Sequence, residues 1–427
     1  MIAVLSDFES PRLRYVCETI FEEWLNRPFI IVTTPDDLPE ESVTVAYGVD
    51  YPGAALTIPE EGLLRESDLR SKMPEVVERK GLPKIFVSEN SSSDSDFDLF
   101  SAVFFCLSRY EEYLPCDRDL HGRFRASQSI FRDYITAPYL DRWVLDLERR
   151  LFPSSRIPRK LRWINTMDVD IAFAYKGRSF GRLLGGIAKD FLKGRWDRIS
   201  ERSKTLSEKI RDPFDTFDDF YSDEAYSNLV FYQAGGNSKY DLSLGSTHRE
   251  IKKLFRRLTG RFKIGIHPSY ESQNSLYLIE KESNELQALM GKEVVLSRQH
   301  FLRMSLPDTY RYLAEAGIEV DYTMSFHDAI GFRAGTAYPF RFYDLKSNEA
   351  LNLRLQPCTA MDSALKQYLH LDAEQAESAM VELVENMKST GGYFVSIWHN
   401  HSLSERDEWQ GWRKVFKSMA RNLSYCR

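Results

Sequence analysis

The chain has 427 residues, 43% hydrophobic and 28% charged with 13% aromatic, which excludes a disordered protein and allows two compact domains. Its 57 Lys and Arg against 63 Asp and Glu leave a net charge of −6, which argues against nucleic acid as a partner. No apolar run approaches the roughly 20 residues of a membrane span, and Asp7, Glu9 and Arg12 come too early for a signal peptide. Cys17, Cys106, Cys116, Cys358 and Cys426 are scattered, without the close spacing of a zinc or redox pair, and read as reduced thiols of a cytoplasmic protein.

In chain order, Ile2-Ala3-Val4-Leu5 is a strand candidate, and Ser10-Pro11 opens a helical pattern through Leu13, Val16, Ile20, Phe21 and Leu25. Further strands are predicted at Phe29 to Val32, Val43 to Ala46, Leu56 to Ile58 and Ile85 to Val87, followed by a loop in the serine run from Ser91 to Asp96. Phe97 to Leu114 has helical spacing and carries Ser108-Arg109-Tyr110-Glu111-Glu112-Tyr113. These elements predict a small α/β N-terminal domain over 1–158, closed by a helix from Trp143 to Leu151 and a proline-bearing linker from Pro153 to Arg159.

Beyond the linker, strands are predicted at Trp163 to Met167, Leu229 to Gln233, Phe262 to Ile266, Glu293 to Leu296, Val320 to Met324 and Tyr393 to Trp398, with amphipathic stretches between them. Such alternation predicts parallel strands flanked by helices, and 159–427 suits a (β/α) barrel, whose reactive groups stand at the C-terminal ends of strands. A basic helical insertion is expected at about 176–225. From Lys176 to Arg211 there are eleven Lys or Arg against four acids, a net +7, interspersed with Phe180, Leu183, Leu184, Ile187, Phe191 and Trp196. The pattern fits a solvated insertion or a basic amphipathic segment resting on an anionic membrane.

Four strand ends carry chemistry. Ile164-Asn165-Thr166-Met167-Asp168-Val169-Asp170 runs from an apolar strand into two acids, and alternation along a strand lets Asp168 and Asp170 converge, one on a metal and the other as a proton acceptor. His267 follows Phe262 to Ile266, and imidazole with carboxylate makes a divalent-metal site. Arg298 follows Leu296 and offers a guanidinium to orient a carboxylate, whereas His300, two residues on, reads as a packing or capping histidine. His399 and His401 end the last strand; either is placed to donate a proton to a leaving group.

Taken in order, these sites resemble the motifs of the NodB-type polysaccharide deacetylases, carbohydrate esterase family 4, over roughly Arg162 to His401. Thr166-Met167-Asp168-Val169-Asp170 is similar to that family's first motif, which implies Asp168 as base and Asp170 as metal ligand. The second motif has histidines four apart; His267 matches the first, but Glu271 stands at the second. Glutamate binds zinc, so Glu271 either completes the ligand set or points to solvent. Arg298 resembles the arginine of the third motif and His399 the histidine of the last.

Gly331-Phe332-Arg333-Ala334-Gly335 and the Ser108 to Tyr113 segment resemble features of a bacterial branch of these proteins with an N-terminal domain of unassigned role. Arg333 is read either as a substrate contact or as a buried ion pair fixing its loop. The resemblance implies an α/β architecture with a distorted NodB-type barrel, and metal-dependent removal of acetyl groups from an N- or O-acetylated sugar, polysaccharide or lipid-linked glycan. Zinc is the expected ion. Thr166, Tyr270, Phe332 and Trp398 are further candidates for substrate contact, the aromatic ones by stacking on a pyranose ring. The rival expectation is a carbohydrate-binding or scaffold protein that kept the barrel and lost the chemistry, with Glu271 as its best support. The expected location is the cytoplasm, at the inner face of the membrane if the basic segment docks there.

Overall fold

Four short apolar strands, β1 (Ile2–Leu5), β2 (Phe29–Val32), β3 (Val43–Tyr47) and β4 (Leu56–Ile58), form a parallel sheet in the order β2-β1-β3-β4. The central strand β1 is buried at every position, as a parallel strand covered on both faces must be. A computed structural model describes residues 1–89, 93–154, 158–223 and 225–423. After β1 the Ser10 side chain accepts the backbone N–H of Leu13 and Pro11 occupies the first helical turn, which starts the helix Pro11–Cys17. A small antiparallel hairpin, β5 (Val77–Arg79) and β6 (Leu82–Lys84), takes the place of the strand expected at Ile85 to Val87.

The helix expected to run to Leu114 covers only Leu99–Leu107. It stops because Arg109 takes a left-handed conformation (φ 54°), and Tyr110–Tyr113 form a tight 3-10 turn instead. This reversal folds charges inward. Arg109 donates to Glu111 at 2.7 Å and to Glu112 at 2.8 Å, and Glu112 also accepts two hydrogen bonds from Arg333, at 2.9 and 2.6 Å. All four side chains are buried, and Arg333 stands in the buried ion pair that was one of its two expected roles. Burial pushes the Glu112 carboxyl up, but Arg333 and Arg109 outweigh it and bring its pKa down to about 2.

Removing Arg333 leaves a buried carboxylate short of one partner, and Arg333→Ala is expected to cost about 3–5 kcal/mol in urea unfolding. Because the folded pKa of Glu112 lies below its unfolded value, its contribution is present above pH ~4.5 and is lost as pH falls toward 2. The penalty of the variant should therefore shrink across that window; a penalty unchanged between pH 7 and 3 would refute the assignment.

The second sheet has nine strands: β7 (Leu161–Val169), β8 (Ser227–Tyr232), β9 (Lys263–Ile266), β10 (Leu296–Ser297), β11 (Val320–Asp321), β12 (Phe340–Asp344), β13 (Glu349–Leu355), β14 (Ala360–Met361) and β15 (Gly392–His399). Their order is β12-β13-β11-β10-β9-β8-β7-β15-β14, parallel throughout except for the β12–β13 pair. Helices separate most of them, including Arg249–Leu258, Leu276–Met290, Asp308–Glu315 and Ala373–Met387. Among the described residues the edge strands β12 and β14 do not pair, so the expected barrel stays open there. All its strands but β12 still point one way, and their C-terminal ends gather at one edge.

The two sheets share a continuous hydrophobic core. Tyr15 packs on Tyr343 with ring centroids 4.9 Å apart and donates to the Arg341 carbonyl at 2.6 Å, while Trp24 donates to the Pro339 carbonyl at 3.0 Å. The Gly-Phe-Arg-Ala-Gly segment is part of this seam. Gly331 (φ +130°) lies so close to the Ile135 carbonyl that a Cβ would stand 2.2 Å from its oxygen, and Gly335 (φ +72°) is pressed against the Tyr139 ring. The predicted linker includes residues 155–157, outside the described residues; beside them Arg159 pairs with Glu148 at 2.6 Å.

Candidate metal centre

Parallel pairing places Val169, Tyr232, Ile266 and Ser297 in one row across β7, β8, β9 and β10. The residues that follow them, Asp170, Gln233, His267 and Arg298, therefore leave the sheet side by side. One step back along β7, Asp168 is paired with His399 of β15. Asp168 and Asp170 share a side through the alternation of an extended chain. Register alone thus brings Asp168, Asp170, His267, Arg298 and His399 to one edge.

Asp170, His267 and His300 each offer a ligand atom, all within 4.8 Å of one another. The His267 Nε2 stands 3.2 Å from Asp170 Oδ1, and the His300 Nε2 stands 3.7 Å from Asp170 Oδ2. Both rings are held from behind. His267 Nδ1 donates to the Arg298 carbonyl at 2.6 Å, and His300 Nδ1 faces Asp241 Oδ1 at 3.2 Å and Gln233 Nε2 at 2.9 Å. For His267 that donor bond from Nδ1 leaves the Nε2 lone pair free toward the centre, the arrangement of metal-binding histidines. Asp170 Oδ1 is buried with no hydrogen-bond partner in the described residues, an orphaned acceptor that a cation satisfies. Two imidazoles and a carboxylate with room for water suit zinc or a neighbouring divalent ion.

Burial acts to raise the Asp170 pKa, but His300, His267 and His399 hold the carboxyl well below the usual range. Burial works against charge on His300, yet Asp170 and Asp241 bring its pKa up to about 9. A cation held at these donors would have to displace a proton from this ring.

Around the donors stand two further pairs. Arg298, fully buried, donates to Asp168 Oδ1 at 2.6 Å and to Thr166 Oγ1 at 2.8 Å, while its Nε reaches the Tyr322 carbonyl at 3.1 Å. Asp168 is thereby fixed with Oδ2 turned inward, 3.9 Å from His267 Nε2. On the opposite side His399 Nδ1 meets Asp362 Oδ1 at 2.7 Å, and the same carboxylate accepts the His399 backbone N–H at 2.7 Å. Burial disfavours the imidazolium, but Asp362 and then Asp170 raise its pKa to about 10. His401 has no such partner; burial and His399 lower its pKa to about 4. Of the two histidines, His399 is the one with a carboxylate partner.

These groups line a cavity of about 240 Å³. Its floor is Asp168, Asp170, His267, His300 and His399, and its walls include Arg123, Phe301, Met361, Gln367 and Tyr368. Arg123 comes from the N-terminal half and is locked there, donating to Asp119 at 2.9 and 2.7 Å, to the Phe301 carbonyl at 3.1 Å and to the Tyr368 hydroxyl at 2.8 Å.

Several expected residues lie elsewhere. Glu271 is exposed, because the chain turns after Pro268 and places it at the start of the 3-10 segment Ser272–Asn274; the group that could hold a metal has His300 beside Asp170 and His267. Trp398 points away from its neighbour His399 and is buried edge-on against Phe416. Tyr270 is spent on packing, with Tyr240 at 4.3 Å, the Arg303 guanidinium at 3.7 Å and its hydroxyl on His121 at 2.8 Å. Phe332 is buried in the seam. Thr166 is buried behind Arg298, donating to the Ser396 carbonyl at 2.7 Å, and holds the arginine rather than a ligand. Asp241, Gln233, Asp362 and Arg123 were missed from sequence. For Asp362 the available signal was an acid directly after an apolar pair, Ala360-Met361.

Residues 2–153 match a family model described as a family of unknown function (DUF7033). A search of curated proteins returned no match. Among solved structures the chain is similar to a protein of Mycobacterium smegmatis assigned to the polysaccharide deacetylases, at 14% identity over 62% of this chain and 86% of that one, TM-score 0.38. It is also similar to the allantoinase PuuE, at 12% identity over 63% and 89%, TM-score 0.36. A third is a polysaccharide deacetylase of Bacillus cereus, at 11% identity over 62% and 88%, TM-score 0.27.

Proposed function

We propose that the protein is a metal-dependent hydrolase that removes an acetyl group from an N- or O-acetylated sugar, with zinc as the preferred ion. One observation carries this reading: the Asp170, His267, His300 donor set stands between a carboxylate fixed by arginine and an imidazole fixed by carboxylate. When bound, a divalent ion at those donors supplies Lewis acidity for the acyl oxygen and acidifies a water. Asp168, oriented by Arg298, takes the proton of the attacking water. His399, kept protonated by Asp362, delivers a proton to the departing nitrogen or oxygen. The water oxygen bonds to the acyl carbon, the carbon–nitrogen or carbon–oxygen bond breaks, and acetate leaves with the free amine or alcohol.

The size of the cavity and its Arg123–Tyr368 wall favour a small or terminal acetylated residue over an internal position of a long polymer. A sugar carried on a lipid at the cytoplasmic face has such an end. The test is acetate release from a size series of N-acetylated and O-acetylated saccharides, with and without chelator. Chelator-sensitive release, highest on monomers and chain ends, is expected. Sugar binding without release, in metal-replete protein, would instead establish the non-catalytic alternative, whose sequence support was Glu271.

A further inference from the structure

Two helices, Phe180–Leu192 and Trp196–Leu206, stand between β7 and β8 as an antiparallel hairpin. Inside the hairpin Arg202 donates to Asp190 at 2.7 Å and to the Leu183 carbonyl at 2.9 Å, and Gly186 makes room for its guanidinium. The outer face is apolar and uncovered. Phe180 is 76% exposed, Leu184 49%, Phe191 56% and Leu192 84%, and Trp196, 61% exposed, packs edge-on against Phe191. Phe180, Leu184 and Phe191 fall at positions i, i+4 and i+11, a single stripe along the first helix. A soluble surface rarely spends so many large side chains on one stripe.

The charges on the opposite flank of the same helix bear on what covers the stripe. Arg182, Lys189 and Lys193 are exposed and form no ion pair among the described residues. The hairpin region carries +7 in a chain of net −6. A second copy meeting this face by two-fold symmetry would set +7 against +7, which disfavours self-association. A hairpin with exposed Phe, Leu and Trp on one flank and unpaired Lys and Arg on the other suits the headgroup boundary of an anionic bilayer. No helix of the described residues is long and apolar enough to cross a membrane, so contact would be peripheral.

The hairpin is also firmly tied to the reactive edge. Nine residues join it to Asp170, and Arg198 and Glu201 bind Asp407 and Arg406 of the loop that follows His399, at 3.0 and 3.2 Å. We propose that this hairpin docks the protein on anionic lipid, with the strand ends that carry the candidate metal centre on the same edge as the docking face. The docking stands apart from the hydrolase reading, and its test measures binding alone.

Full-length protein is floated with vesicles of phosphatidylcholine containing or lacking about a third phosphatidylglycerol. Binding to the anionic vesicles only, weakened by salt, is expected. Replacing Arg182, Lys189 and Lys193 together by Gln is expected to weaken it about a hundredfold, and Phe191→Ser or Trp196→Ser on the order of tenfold each. Unchanged thermal melting keeps the surface variants interpretable. Equal binding to neutral vesicles, binding indifferent to these variants, or no binding at low salt overturns the proposal. So does self-association abolished by Phe191→Ser, which would mark the stripe as an interface between copies.

Discussion

Alanine at His300 is expected to remove bound metal and acetate release together, whereas alanine at Glu271 should leave both at the level of the unmodified protein. The two substitutions separate the ligand set given by the fold from the one suggested by a four-residue spacing. His300 is buried with Nε2 toward Asp170, and Asp241 and Gln233 stand behind it. Loss of a supporting partner alone typically costs about 10–100-fold in metal affinity; loss of the ligand should exceed that. Metal content after dialysis and affinity by competition with a chromogenic chelator read the outcome directly. If the Glu271 variant lost its metal and the His300 variant kept it, the centre described above would be wrong.

The second large effect is expected at Asp168. Asn keeps the shape of the side chain and one oxygen for Arg298, but it cannot accept a proton. Asp168→Asn is expected to lower acetate release by roughly 10³–10⁴-fold, the upper range for loss of a positioned general base, with stoichiometric metal retained. Asp170→Asn should instead lose metal first. The contrast matters because both acids lie on one side of β7 within three residues of each other, and only their partners divide them: Arg298 for Asp168, the two histidines for Asp170. An Asp168→Asn protein that kept more than a tenth of the parent rate would refute the role given to this carboxylate.

Strand ends were legible in the sequence where a strand was long enough to show itself. β7, β9 and β15 announce their edges, and with them Asp168, Asp170, His267 and His399, because an apolar run stopping at a polar residue is a local signal. His300 had no such signal. It sits beyond β10 in a 3-10 turn whose next residues, Phe301 and Leu302, have positive φ, and only the pairing of β10 with β9 carries it toward Asp170. Asp362 follows a strand of two residues, too short for periodicity. Trp398 was legible after all, since strand alternation turns it away from the side of its neighbour His399. The Ser-Arg-Tyr-Glu-Glu-Tyr segment has helical spacing, yet burying three charges among Arg109, Glu112 and Arg333 outweighed one more helical turn. β12 and β13 form the antiparallel edge on which the N-terminal half packs, a tertiary arrangement no local pattern encodes.

Arg123 reaches the cavity from a stretch that precedes the whole second sheet. The cavity is thus lined from both halves of the chain. A chimera that took its first 153 residues from a homologue would import that homologue's wall along with its scaffold, and its preference among acetylated substrates should shift although every metal donor and both proton carriers stayed the same.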